Sequence, residues 1–258
     1  MKSGSVRDGV RLAMGTMTAL RVPGPVVVDR DSARVAMMVA PLAVLPVAVI
    51  AGAVAELGRA VAISPLVVAV LVLGTFALGS RALHLDGLAD TADGLTGSYD
   101  AERALEIMRR GNTGPAGAAA LVLVLVLQVA ALTPILARPW GPLVAVVLLG
   151  LARSSLLVTC AAGIPAARPG GLGASVAGVI PRPAGVVLGA VAAAIAAVVL
   201  PLSGRPWWQG VTAVVVAGAA VLALVLRCRR RFGGITGDVV GAGIEVAAAA
   251  LLAVAGAG

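Results

Sequence analysis

The chain is short of the residues that a soluble domain needs. Only 12% of its 258 residues are charged while 60% are hydrophobic, and the apolar residues come in blocks of roughly 18 to 25, the length a helix needs to cross ~30 Å of hydrocarbon. A soluble globular protein is thereby excluded. Aromatic residues make up 2%, so the interfacial aromatic belt of membrane proteins thins to Trp140, Trp207 and Trp208. The two cysteines, Cys160 and Cys228, stand far apart, match no zinc or redox spacing and read as inert apolar side chains. No cleavable signal peptide is expected in residues 1–34, which are polar, basic and interrupted by Pro23 and Pro25. Abundant instead are alanine and glycine, the latter at 33 residues, which suit helices packed closely through small side chains. The fold class that follows is all-α: a polytopic integral membrane helical bundle of about seven transmembrane helices, within a range of six to eight.

The first span is expected at roughly Val35 to Ala55, kinked by Pro41 and Pro46, and the second at roughly Val61 to Ser80. Further spans follow at about Ala116 to Ala137, Gly141 to Ala162, from Pro183 to about Leu202, to about Leu226, and Val239 to Ala255. Residues 1–34 form a basic cytoplasmic or interfacial segment before a transmembrane catalytic domain, 35–258. Its cytoplasmic loops are expected at about 81–115, 163–183 and 227–238. The net charge of +8 would suggest a nucleic-acid partner in a soluble protein; here basic loops explain it, and no nucleic acid is expected. With the N-terminus inside, all 20 basic residues except Arg59, Arg138 and Arg205 fall on one side. The positive-inside rule then predicts a cytoplasmic N-terminus in the cell membrane, with the polar segments converging on the cytoplasmic face.

The most distinctive stretch is Leu83-His84-Leu85-Asp86-Gly87-Leu88-Ala89-Asp90-Thr91-Ala92-Asp93-Gly94-Leu95. On a helix, Asp86, Asp90 and Asp93 stand at i, i+4 and i+7 and project from one face. Like charges so close repel unless a cation lies between them. Mg²⁺ is typically held by a few carboxylates together with substrate phosphates, so the stretch reads as a metal and phosphate site. Gly87 and Gly94 would let a phosphate or nucleotide approach the backbone. His84, the single histidine, is open to three roles: general base, metal ligand or hydrogen-bonding partner of phosphate.

Asp238 and Glu245 stand at i, i+7 in the last span and are further metal candidates. Asp238 would also serve as a helix cap, whereas Glu245 lies deeper, where burial is costly. Glu102 and Glu106, surrounded by Arg103, Arg109 and Arg110, read as an exposed ion-paired helix. Arg153, within or near the fourth span, needs a partner and is a candidate phosphate clamp. The Gly234-Ile235-Thr236-Gly237-Asp238 segment, with Thr236 as a candidate contact, loosely resembles a phosphate cradle but lacks the ending of a Walker motif.

The acidic stretch from His84 to Leu95, followed by Glu102-Arg103-Ala104-Leu105-Glu106-Ile107-Met108-Arg109, resembles the adenosylcobinamide-GDP ribazoletransferase, or cobalamin synthase, family. Gly171-Leu172-Gly173, Gly233 to Asp238 with Gly241-Ala242 and Glu245, and Met17 to Pro23 share that family's pattern, so the likeness covers nearly the whole chain. Where the family often has an acidic residue, this chain has Leu85. Where it has Asp-Ser, this chain has Arg110-Gly111, next to Asn112, a candidate substrate contact. The resemblance implies an Mg²⁺-dependent transferase with adenosylcobinamide-GDP and α-ribazole, or its 5′-phosphate, as partners. The 5′-hydroxyl attacks the phosphorus on the cobinamide side, GMP leaves, and adenosylcobalamin or its 5′-phosphate forms. Asp86, Asp90, Asp93 and His84 would carry the catalysis, and the number of subunits stays open to a homo-oligomer. Two alternatives stand beside this one: a CDP-alcohol phosphotransferase, which uses a similar acidic cluster, and a transporter, for which no internal repeat of the acidic motif speaks.

Overall fold

The computed structural model describes residues 3–257, so Lys2 of the basic segment lies outside the described residues. Among the described residues thirteen helices run in order: α1 (Ser3–Met17), α2 (Arg30–Ala43), α3 (Leu45–Ala60), α4 (Pro65–Gly79), α5 (Leu83–Gly97), α6 (Ala101–Arg109), α7 (Pro115–Leu136), α8 (Gly141–Leu151), α9 (Leu156–Thr159), α10 (Gly171–Val176), α11 (Arg182–Val199), α12 (Trp207–Phe232) and α13 (Gly237–Gly256). Short 3-10 turns join α8 to α9 and follow α11. Among the described residues there is no strand, only isolated parallel bridges at Ala161 with Ile180 and Ala166 with Ile235. The expected all-α polytopic bundle is what forms.

Among the described residues six helical units are long and apolar enough to cross a membrane: 30–60, 115–136, 141–159, 182–203, 207–232 and 237–256. A seventh is available if the bent pair α4 and α5 makes one span. Entry into the first is set by a reciprocal cap, in which the Ser32 N–H donates to Asp29 at 2.8 Å and the Asp29 N–H donates to the Ser32 hydroxyl at 2.9 Å. The unit is interrupted at Val44, between Pro41 and Pro46, where two backbone donors are missing. At the same end the Asp8 carboxylate accepts from the N–H groups of Val26 and Val27 and ties the 18–28 connection to α1.

The acidic stretch does not continue along α4. Arg81 and Ala82 both take left-handed backbone angles, φ 58° and 55°, uncommon for residues with a Cβ. The Ala82 N–H donates to the Ala77 carbonyl at 2.7 Å, and Arg81 donates to the Gly15 carbonyl at 2.8 Å. These bonds hold α5 at 88° to α4, packed against α13 and α7. Within 81–115, the helices expected for the acidic stretch and for Glu102 and Glu106 form as α5 and α6.

Two boundaries also differ from expectation. The sixth span does not stop near Leu226 but continues helical to Phe232, with Arg227, Arg229, Arg230 and Arg231 inside it. Cations are favoured in a last helical turn, and the stop comes at Gly233, which caps the helix at φ 79°. In the 163–183 segment, α10 forms a short helical turn.

Helices α13, α8 and α9 lie innermost, with Leu148, Leu156, Ile244 and Leu252 fully buried. At the end opposite α5, Arg205 and the amide of Gln209 donate to the carbonyls of Val254, Gly256 and Ala257 that close α13. Arg59, Arg138 and Arg205 occupy this end, and the other cationic segments gather with α5, apart from Arg153 inside the bundle. Close contact of α11 and α12 depends on Gly210, where a Cβ would meet the Ala196 carbonyl group at 2.5 Å. Gly210→Leu is expected to cost about 1–3 kcal/mol of stability, read as a lower thermal midpoint in detergent. Gly74→Ala, with nothing within 4 Å of the added carbon, is expected to leave the midpoint unchanged.

Candidate functional site

Helix α5 presents its three aspartates in a gradient of exposure. Asp86 is exposed, Asp90 half-buried, and Asp93 only 7% exposed, because the helix passes beneath the start of α7 as it proceeds. Asp93 is fully engaged there. Its two oxygens accept from the N–H of Gly114 at 2.6 Å and of Gly117 at 2.8 Å. A carboxylate from another helix thus does the work of an N-cap for α7, whose own cap residue is Gly114 and has no side chain. A Cβ on Gly114 or Gly117 would lie 2.6 or 2.4 Å from an Asp93 oxygen, so only glycine fits at either position.

Asp238, in the first turn of α13, faces the α5 carboxylates from the other side. Its Oδ2 accepts from the Thr236 hydroxyl at 3.0 Å and lies 3.9 Å from Arg168. Burial first, then the carboxylates of Asp86, Asp238 and Asp93, push the Asp90 carboxyl up to about 6, against the pull of Arg168. Next to Asp238 opens a cleft of about 200 Å³, lined by Leu83, Arg168, the 170–174 segment and Ile235 to Asp238. Backbone bonds stitch its walls together: the Ala167 N–H donates to the Ile235 carbonyl at 2.9 Å, and the Ile235 N–H to the Pro165 carbonyl at 3.0 Å. The three polar segments expected to converge do meet at this end of the bundle.

The donor set fits a hard cation only in part. Among the described residues no three His, Cys, Asp or Glu side chains are close enough to form a ready chelate. Mg²⁺ does not require one, since it is commonly held by one or two carboxylates with water and substrate phosphates completing the shell. Asp86, Asp90 and Asp238 are the carboxylates placed for that; Asp93 is already committed to α7.

Several expected site residues are found elsewhere. Glu245 sits seven residues beyond Asp238, about 10 Å deeper along α13, and accepts from the Gln128 amide at 3.0 Å, so it does not join the carboxylates at the mouth. Arg153 is 3% exposed inside the bundle, donating to the Leu149 carbonyl and lying over the Phe76 ring at 5.0 Å; it is no clamp at the mouth. Gly87 and Gly94 are close-packing positions. A Cβ on Gly87 would meet the Asp238 carbonyl at 2.6 Å, and one on Gly94 would meet Met108 at 2.6 Å, which leaves no room for phosphate at either. The Thr236 hydroxyl is occupied by Asp238 and by the Val239 N–H. His84, two positions before Asp86 and so on the opposite side of the helix, is buried against α13 with both ring nitrogens unpartnered. Asn112 is exposed on the link between α6 and α7, at the rim.

Sequence reasoning missed Gln128 as the partner of Glu245, although a lone amide in an apolar run was a usable signal. Arg231, counted in the sequence only among the basic residues of one side, covers the Tyr99 ring with its guanidinium at 4.3 Å and donates to the Ser98 carbonyl.

A family model described as cobalamin-5-phosphate synthase matches residues 9–256. Proteins named adenosylcobinamide-GDP ribazoletransferase are similar over most of the chain. One from Nocardioides is 47% identical over 96% of this chain and 97% of its own length. One from Frankia casuarinae is 39% identical over 95% and 92%, and one from Corynebacterium efficiens 34% identical over 95% and 90%. No solved structure matches.

Two variants separate the roles of the aspartates. Asp93→Ala is expected to lower stability by about 1–2 kcal/mol through loss of the α7 cap, together with activity, whereas Asp86→Ala is expected to lower activity alone; thermal midpoints of the purified variants decide it. Asp90 carries a charge penalty above about pH 6. Because the native state holds that proton more tightly than the unfolded chain, stability from this group falls as pH rises from about 4 to about 6. Asp90→Asn is expected to remove that share of the pH dependence in metal-free buffer.

Proposed function

Because the chain belongs to the cobalamin-5-phosphate synthase family, we propose that it joins α-ribazole, or its 5′-phosphate, to adenosylcobinamide-GDP and releases GMP. The product is adenosylcobalamin or its 5′-phosphate, in a late step of cobalamin synthesis. The observation that carries the site assignment is the meeting of Asp86, Asp90 and Asp238 beside the Arg168-lined cleft. A phosphoryl transfer asks a protein chiefly to position its reactants and neutralise charge, and this end of the bundle offers both.

The incoming hydroxyl forms a bond to the cobinamide-side phosphorus as the bond to the GMP oxygen breaks, and the hydroxyl proton must pass to a base. Asp86 and Asp90 line the open side of α5, while buried His84 faces away from it; a carboxylate therefore takes the proton. Arg168 orients the diphosphate through its guanidinium. Mg²⁺ would be held by one or two of Asp86, Asp90 and Asp238 together with diphosphate oxygens, and would supply neutralisation of the charge developing on GMP. The site faces the cytoplasm in this reading, supported by the gathering of cationic segments at the α5 end and the isolation of Arg59, Arg138 and Arg205 at the other.

Purified protein in detergent is expected to release GMP from adenosylcobinamide-GDP when α-ribazole is present. Chelation of divalent cations is expected to stop the release and added Mg²⁺ to restore it. Asp86→Asn and Asp90→Asn are each expected to lower turnover by about 100-fold or more while the protein still inserts. Release of CMP from a CDP-alcohol donor in place of GMP would overturn the assignment, and near-normal rates in both variants would sink the proposed carboxylate site.

A further inference from the structure

On the flank of the bundle, α9, α11, α12 and α13 enclose an open groove of about 610 Å³ whose walls are almost wholly apolar. Small residues make it deep: a Cβ on Gly189 or Gly218, both lining it, would find nothing within 4 Å. Two serines, Ser154 and Ser155, interrupt the apolar wall, the Ser155 hydroxyl itself being buried out of reach of the open space.

The polar end of the groove is cationic. Arg182 opens it, spending only its Nε on the Ala162 carbonyl at 3.4 Å. Arg30 reaches the same connection through the Gly178 carbonyl at 3.2 Å. Neither makes an ion pair among the described residues, whereas neighbouring Arg34 is satisfied by Asp31 at 3.0 Å. A second groove provides the contrast. Between α2, α3 and α8 lies an apolar groove of about 540 Å³ whose polar end holds Glu56, already paired with Arg59 at 2.6 Å. It offers apolar contact but no unmatched cation.

We infer that the first groove binds one anionic phospholipid, with an acyl chain along α11 and α12 and the headgroup phosphate at Arg182 and Arg30. The lipid belongs to the leaflet on the α5 side, because α11 begins at that end. This assignment is independent of the reaction proposed above.

The test uses the full chain purified in detergent and titrated with phosphatidylglycerol or phosphatidylcholine of identical acyl chains, with retained lipid counted by native mass spectrometry. Phosphatidylglycerol is expected to bind more tightly, by about fivefold for each unmatched arginine. Arg182→Ala is expected to reduce that preference by about fivefold, and Gly189→Leu, which fills the groove, to reduce retention of both lipids. Gly150→Leu, in the second groove and also free of neighbours within 4 Å, is expected to leave phosphatidylglycerol retention unchanged. Equal retention of the two lipids by the wild type would overturn the proposal, as would wild-type phosphatidylglycerol retention in Gly189→Leu. A cross-linked dimer through Gly189→Cys that excludes lipid would instead assign the groove to a second copy.

Discussion

The Asp93 carboxylate, accepting from Gly114 and Gly117 at once, is the contact on which the mouth of the bundle depends. It joins α5 to the first turn of α7, and it satisfies donors that α7 cannot satisfy from its own sequence. The absence of a Cβ at both glycines allows the approach. With α5 fixed in this way, Asp90 and Asp86 are carried outward along the same helix to increasing exposure, where they meet Asp238. One acidic residue is engaged by α7, and the two others are left open at the mouth.

The interior polar residues follow a different logic. Arg153, Gln128 and Glu245 lie too deep to serve the mouth, and each would be expensive to bury alone. Grouped around a small cavity lined also by Phe76 and Leu85, they tie α7, α8 and α13 together beneath the acidic helix. Polar residues in hydrocarbon signal a requirement for partners: Gln128 finds Glu245, while Arg153 uses the Leu149 carbonyl and the Phe76 ring.

Charge is divided between the two ends as well. Cations gather where the carboxylates are, so the acidic helix sits within a basic rim formed by Arg168, Arg182 and the last turn of α12. Such a rim attracts phosphate-bearing molecules from solution and from the lipid surface alike. The small-residue helices that leave grooves at the flank also permit the close crossings at Gly87 and Gly210, so one compositional habit shapes both the interior and the lipid-facing surface.

Much of this was legible in the chain. Long apolar blocks set the number of spans, because hydrocarbon thickness and helical rise leave little choice. The i, i+4, i+7 spacing placed three aspartates on one face, and the family's motifs named the chemistry. What spacing could not say is where that face points. The left-handed turn at Arg81 and Ala82 swings α5 by 88°, and its contacts with α7 and α13 then give Asp86, Asp90 and Asp93 three different environments. Glu245 shares a helical face with Asp238 but not its depth, and Gly87 and Gly94 were open to a phosphate only until neighbouring helices filled the space. Local periodicity fixes direction around one helix axis; burial, partner and role are decided by other helices, distant in sequence, that pack against it.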